Sequence, residues 1–207
     1  MATESISAIS ATGCQDSSEL NSTETMDGIV DQIASGLYSL ASMLLGEGEE
    51  SIQLVETAIA NSEVSACQDP AQARISSRRA LCEAALETLG ARDPGSLAAP
   101  EGLKPSGNCI DEDDLEAVEI AREDLERMCS GPDRGRVRNW LAGLATALRT
   151  IFVLRAVAGL SAAETAAMLE KHGGPKAAGW NAEAVRSVFR EGLCSLASQL
   201  LHATVAR

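Results

Sequence analysis

Apolar residues recur at helical spacing through the first part of the chain. From Met26 to Leu45 they follow the i, i+3, i+4, i+7 pattern of a helix with one buried face. Gly46 ends this pattern, and Glu49 and Glu50 come next, where acidic side chains favour the N-terminus of a second helix. The pattern therefore predicts two antiparallel helices joined by a short glycine turn. The inner face predicted for the second helix consists of Ile52, Val55 and Ile59.

Glycine and proline divide the chain further on. A third helix is predicted over residues 69–89. Its predicted inner face consists of Leu81, Ala85 and Leu89. Residues 91–110 collect glycines and prolines that break helices, which predicts a linker and a domain boundary. The acidic run that follows lacks the alternating oxygen ligands and the glycine of a calcium loop, so it is interpreted as the start of a helix over residues 112–129.

The C-terminal part predicts three helices in close succession. A helical pattern starts at Arg136 and continues to about Gly159. Ser161 and Glu164 then form the sequence of a capping box, in which two side chains satisfy free amides at the start of a helix. A Gly-Gly-Pro turn ends this short helix, and one longer helix follows. The inner face predicted for the last helix consists of Val185, Phe189, Leu193, Leu196 and Leu200.

The amino-acid composition agrees with helices throughout. Aromatic residues make up only 2% of the chain, and Ala, Leu, Glu and Arg are abundant, whereas strands favour β-branched and aromatic residues. We therefore predict an all-α protein with two helical domains. The predicted division is a flexible tail at residues 1–25, a domain at 26–90, the linker at 91–110 and a second domain at 111–207.

The charge of the chain is unevenly divided. The net charge of −13 is the balance of −18 over residues 1–130 and +5 over residues 131–207, so only the second part would attract a polyanion. No apolar run approaches the ~18 residues of a membrane span, and the polar N-terminus does not resemble a secretory signal. The six cysteines form no CxxC pair. We predict a cytoplasmic protein with reduced, mostly buried thiols.

The last two predicted helices have the order and spacing of a helix-turn-helix. On a helical wheel at about 100° per residue, Arg186, Ser187 and Arg190 fall away from the apolar face. A second helix of this kind presents such residues to the major groove of duplex DNA. Asn181, a candidate N-cap, and Lys176, in the preceding turn, complete the predicted DNA-binding residues.

Other conspicuous side chains have structural interpretations. Trp180 is interpreted as a hydrophobic staple before the N-cap in preference to a base contact. Trp140 and Phe152 are assigned to the core, and His172 to the C-terminal end of a helix instead of a metal site. The sequence holds no nucleophile–base set, phosphate-binding loop or metal-ligand spacing, so we expect neither enzymatic activity nor a cofactor or metal.

The segment from Leu144 to Leu169 resembles region four of the extracytoplasmic-function sigma factors of RNA polymerase. The matching elements are Arg149, the Phe-Val-Leu-Arg segment that ends at Arg155, Gly159, Leu160, Ser161, Glu164, Ala166 and Leu169. Val185, Arg186 and Ser187 match the start of the recognition helix of that family. The resemblance implies a domain that binds duplex promoter DNA.

A weaker resemblance to region two of the same family lies in the first half of the chain. It covers the segment from Leu37 to Gly46 and the segment from Leu54 to Glu56. In that family this region binds core RNA polymerase. The resemblance implies a polymerase-binding surface that consists of Glu49, Glu50, Gln53 and Glu56.

Together the two resemblances imply a sigma-factor-like transcription initiation protein. Its expected partners are core RNA polymerase, duplex promoter DNA and a regulator such as an anti-sigma factor, with no membrane and no small-molecule substrate. A second interpretation stays open, because Val188, Glu191 and Leu193 stand where relatives carry basic residues. The alternative is a diverged sigma-like protein that binds other proteins and does not recognise a promoter.

Overall fold

The computed structural model describes residues 22–62, 70–100 and 134–205. Within these ranges the secondary structure consists of helices and turns, which confirms the all-α prediction. The helices are α1 (Ser22–Leu45), α2 (Glu49–Asn61), α3 (Pro70–Arg92), α4 (Arg134–Ala142), α5 (Thr146–Ala156), α6 (Ala162–His172) and α7 (Ala182–Val205), with a single 3₁₀ turn at Pro175–Ala177. The helix predicted over residues 112–129 and nearly all of the predicted tail lie outside the described residues.

The first three helices pack on one another around a leucine-rich centre. Gly46 ends α1 with φ +98°, a conformation that glycine adopts without strain. The prediction that Ile52 faces inward is wrong, because its side chain is 42% exposed. The buried face of α2 consists of Ser51, Leu54, Val55 and Ala58. The Ser51 hydroxyl donates to the Gly46 carbonyl at 2.6 Å, which turns Ser51 toward α1 and Ile52 outward.

The helical pattern from Arg136 to Gly159 is two helices instead of one. The amide of Gly143 donates to the carbonyl of Trp140, and the amide of Leu144 to that of Leu141. These bonds close α4, and α5 begins after them at Thr146. Trp140 and Phe152 lie in the core, as predicted, with their rings edge to face at 4.9 Å.

The capping box is formed as predicted. The Glu164 amide donates to Ser161 Oγ at 3.2 Å, and the Ser161 amide donates to Glu164 Oε2 at 2.8 Å. Asn181 caps α7 by accepting a hydrogen bond from the Ala184 amide at 2.9 Å. The inner-face residues of α7 with described side chains are buried: Val185, Phe189, Leu193 and Leu196. The side chain of Leu200 lies outside the described residues.

The described parts of the two predicted domains contact each other. Helix α3 packs against α6, and α1 packs against α4 and α5. A Cβ atom on Gly90 would lie 2.7 Å from the carbonyl oxygen of Gly173, so the α3 and α6 backbones approach closely at this point. Within the predicted linker, α3 continues to Arg92 and Leu97 is buried. The buried residues of both parts form one hydrophobic cluster.

Two further features bear on the environment of the chain. No described helix combines the length and the apolar character that a membrane crossing requires. Cys82 is free and buried in α3. Cys194 in α7 is disulfide-bonded, so the prediction of reduced thiols is wrong at this position.

Candidate nucleic-acid and protein interfaces

The N-terminal half of α7 has one buried side and one exposed side. Val185, Val188 and Phe189 are each no more than 5% exposed and fix the helix on α5 and α6. Arg186 is exposed on the opposite side, where its guanidinium bonds Glu183 at 3.0 Å. Val188 occupies a position at which the resemblance led us to expect a basic residue. Its burial explains the difference, since a charged side chain does not fit in the core.

The predicted DNA-binding residues differ in their accessibility. Arg186, Asn181 and Lys176 are exposed, whereas Ser187 and Arg190 are half-buried. The side-chain oxygen of Asn181 already accepts the capping hydrogen bond. The structure thus brings these residues to the start of α7 and the turn before it, with Arg186 and Lys176 as its exposed cations.

A second arginine, which is not among the residues predicted to bind DNA, lies under the N-terminal half of α7. Arg155, at the end of α5, is 8% exposed. Its guanidinium donates to the Leu160 carbonyl at 2.7 Å and lies 5.2 Å from the centre of the Phe189 ring. Burial is the main cause that lowers the pKa of Arg155, and the positive charge of Arg186 lowers it further. Arg155 therefore connects α5, the turn before α6 and α7.

Trp180 holds the turn before α7 against the first half of the chain. Its side chain is 4% exposed, and its indole N–H donates to the Leu97 carbonyl at 2.8 Å. This burial agrees with the preference for a structural role over a base contact. The bond was not predictable from sequence, because its two residues lie 83 positions apart and no local pattern joins them.

The four predicted polymerase-binding residues lie along α2 and are all exposed. Glu50 forms an ion pair with Arg92 at the end of α3. The neighbouring Glu47, between α1 and α2, forms an ion pair with Arg138 of α4. Of the four residues, Glu50 therefore already forms an ion pair within the chain. The other three lie on the exposed side of α2: Glu49, Gln53 and Glu56.

His172 ends α6, as predicted, and faces α3. Its Nδ1 lies 2.8 Å from Glu87 Oε1, and its Nε2 lies 4.0 Å from Glu83 Oε2. The contact joins the two parts of the chain. Among the described residues, no three His, Cys, Asp or Glu side chains are placed to hold a metal ion.

The chain was compared with protein-family models, curated proteins and solved structures. No family model, no curated protein and no solved structure matches the chain.

Proposed function

We propose that this chain is a sigma-factor-like transcription initiation protein of the cytoplasm. It binds core RNA polymerase through residues 26–90 and duplex promoter DNA through residues 161–200. The observation that carries the proposal is the arrangement of α6 and α7. A capped short helix packs beneath a longer helix that exposes Arg186 near its start, as recognition of a major groove requires.

The charge distribution adds to this proposal. Phosphate contacts supply most of the affinity of proteins for duplex DNA, and each contact depends on salt. Arg186 lies exposed at the start of α7 and Lys176 in the turn before it, and Arg155, close enough to Arg186 to interact with its charge, adds to the local positive charge. Glu183 partly neutralises Arg186, so we expect a modest affinity for free DNA.

The test compares two arginines of equal charge and similar exposure. Arg186→Ala should weaken duplex binding by the polymerase-bound chain and lower the salt slope by about one, the value for one phosphate contact. Arg136→Ala, on α4, removes the same charge away from α7 and is the matched control. Arg186 is preferred to the half-buried Arg190 because its removal leaves the core intact.

Co-purification with core polymerase comes before the binding measurement. Retention of the polymerase with loss of duplex binding only in Arg186→Ala would support the proposal. Equal effects of the two substitutions would attribute DNA binding to overall charge and count against a recognition helix.

One observation favours the alternative of a sigma-like interaction protein without promoter recognition. The first half of the chain, which carries the negative charge, contacts the turn before α7 through Trp180 and Leu97. Polymerase binding that persists with no measurable duplex binding by the unsubstituted chain would select this alternative.

A further inference from the structure

A cavity of about 270 Å³ lies between the end of α1, helix α4 and the start of α5. Its polar lining consists of Ser42, Glu47, Arg138, Asn139 and Arg149. Its volume suits a small molecule and is too small for a folded partner.

Arg149 is the unusual member of this lining. It is half-buried, and its Nε is fully buried without a hydrogen-bond partner. No carboxylate of the described residues forms an ion pair with it. Burial lowers its pKa, and the nearby positive charge of Arg92 lowers it further. A guanidinium remains charged under ordinary conditions, and a partly buried charge without a counter-ion is costly.

Arg138 supplies a second cation with incomplete hydrogen bonding. It forms an ion pair with Glu47, but its Nε is buried without a partner. Glu47 is 69% exposed and can turn toward solvent without loss of a buried contact. The described lining of the cavity carries two arginines and one carboxylate, so it is positive in a chain whose net charge is −13.

We propose that this cavity binds a small oxyanion, a phosphate monoester or a carboxylate, with Arg149 as its main contact and Arg138 as the second. The planar guanidinium group can donate two parallel N–H bonds to either oxyanion, and such charge-assisted bonds are stronger than neutral ones. Asn139 supplies an amide donor at the same cavity. The site is separate from the proposed DNA contacts on α7, and the proposal does not depend on them.

The experiment titrates the full-length chain with inorganic phosphate, phenyl phosphate and succinate at constant ionic strength, with chloride as the reference salt. Calorimetry and the thermal midpoint are the two readouts. Saturable binding of one of the three should raise the midpoint, because a ligand that binds only the folded state stabilises it. The relative affinities of the phosphates and succinate identify which oxyanion the site prefers.

Three substitutions test the assignment of the contacts. Arg149→Gln should weaken binding at least about tenfold, the scale of losing one charge-assisted pair. Arg136→Gln, which removes an exposed charge from α4 outside the cavity, should leave the affinity unchanged. Glu47→Gln should tighten binding, because it releases Arg138 for the ligand. The last substitution tests the proposal independently if Arg149→Gln does not fold.

Two results would overturn the proposal. One is the absence of saturable binding of all three anions to the unsubstituted chain. The other is equal weakening by Arg149→Gln and Arg136→Gln with no gain in Glu47→Gln, which would reduce the effect to general attraction of anions.

Discussion

Single side chains fix where helices begin in this protein, and the capping box is the clearest case. Ser161 and Glu164 satisfy each other's backbone amides at the start of α6. The arrangement was predictable because it depends on residues three positions apart. The orientation of Ile52 was not predictable in the same way, because the buried face of α2 includes a polar residue, Ser51, whose hydroxyl bonds the Gly46 carbonyl.

Ser161→Ala should lower the free energy of unfolding by about 1 kcal/mol, because the Glu164 amide loses its acceptor. Ser161→Thr is the control and should restore most of the loss, because its hydroxyl keeps both the acceptor for the Glu164 amide and the donor to the Glu164 carboxylate. Urea unfolding followed by circular dichroism measures both. An unchanged midpoint for Ser161→Ala would mean that the cap contributes nothing to stability.

Cys82 gives a pH-dependent prediction. Burial raises the pKa of its thiol from 9.0 to about 12. The unfolded chain therefore releases this proton at lower pH than the folded chain, so stability falls as the pH rises from about 9 toward 12. Relative to Cys82→Ala, the free energy of unfolding should fall by up to about 1.4 kcal/mol for each unit of pH in this window. Urea unfolding measures the free energy of unfolding of both proteins. If their difference in this free energy stays constant from pH 8 to pH 10.5, the burial of the thiol is contradicted.

At the scale of elements, glycines decide how closely helices approach. The α3–α6 contact places Gly90 against the backbone of Gly173, where no flexible side chain can move aside. Local sequence patterns predicted α3 and α6 but not this contact. The break between α4 and α5 was missed for a similar reason, because apolar residues stay in register across Gly143 while the backbone bonds close the helix there.

Gly90→Ala should destabilise the fold by about 1–3 kcal/mol, the usual cost of forcing extra atoms into a packed contact. Gly36→Ala is the matched control. Gly36 is an exposed glycine inside α1 with no atom within 4 Å of an added Cβ, so it should gain roughly 0.5–1 kcal/mol from better helix propensity. Thermal unfolding of the two variants should shift in opposite directions. Similar shifts would show that the α3–α6 approach is looser than described.

At the scale of the whole molecule, the described helices share one hydrophobic cluster across both parts of the chain. The sequence predicted which helices form and most of their inner faces. It did not predict how the two parts pack, because the joining contacts pair residues more than 80 positions apart, such as His172 with Glu87 and Trp180 with Leu97. The position of Arg149 at the cavity was not predictable either, since its neighbours there come from α1, the turn after α1, and α4.

We expect the two parts to unfold together. A shared core makes the loss of one part costly for the other, so scanning calorimetry should give one transition with equal calorimetric and van't Hoff enthalpies. Two resolved transitions would show that the contacts of α3 with α6 and of α1 with α5 contribute little to stability.

The placement of the two tryptophans gives the molecule an optical reporter of its own. The chain contains two indoles, Trp140 and Trp180, and Trp180 bonds across from the turn before α7 to Leu97. In a Trp140→Phe variant, all tryptophan emission would come from this contact. A partner that separates the two parts would expose the indole to water and shift its emission to longer wavelength, whereas a partner that binds the packed form would leave the emission unchanged. A fluorescence titration of this variant with polymerase or duplex DNA would therefore show whether the partner separates the two parts of the chain or binds them in their packed form.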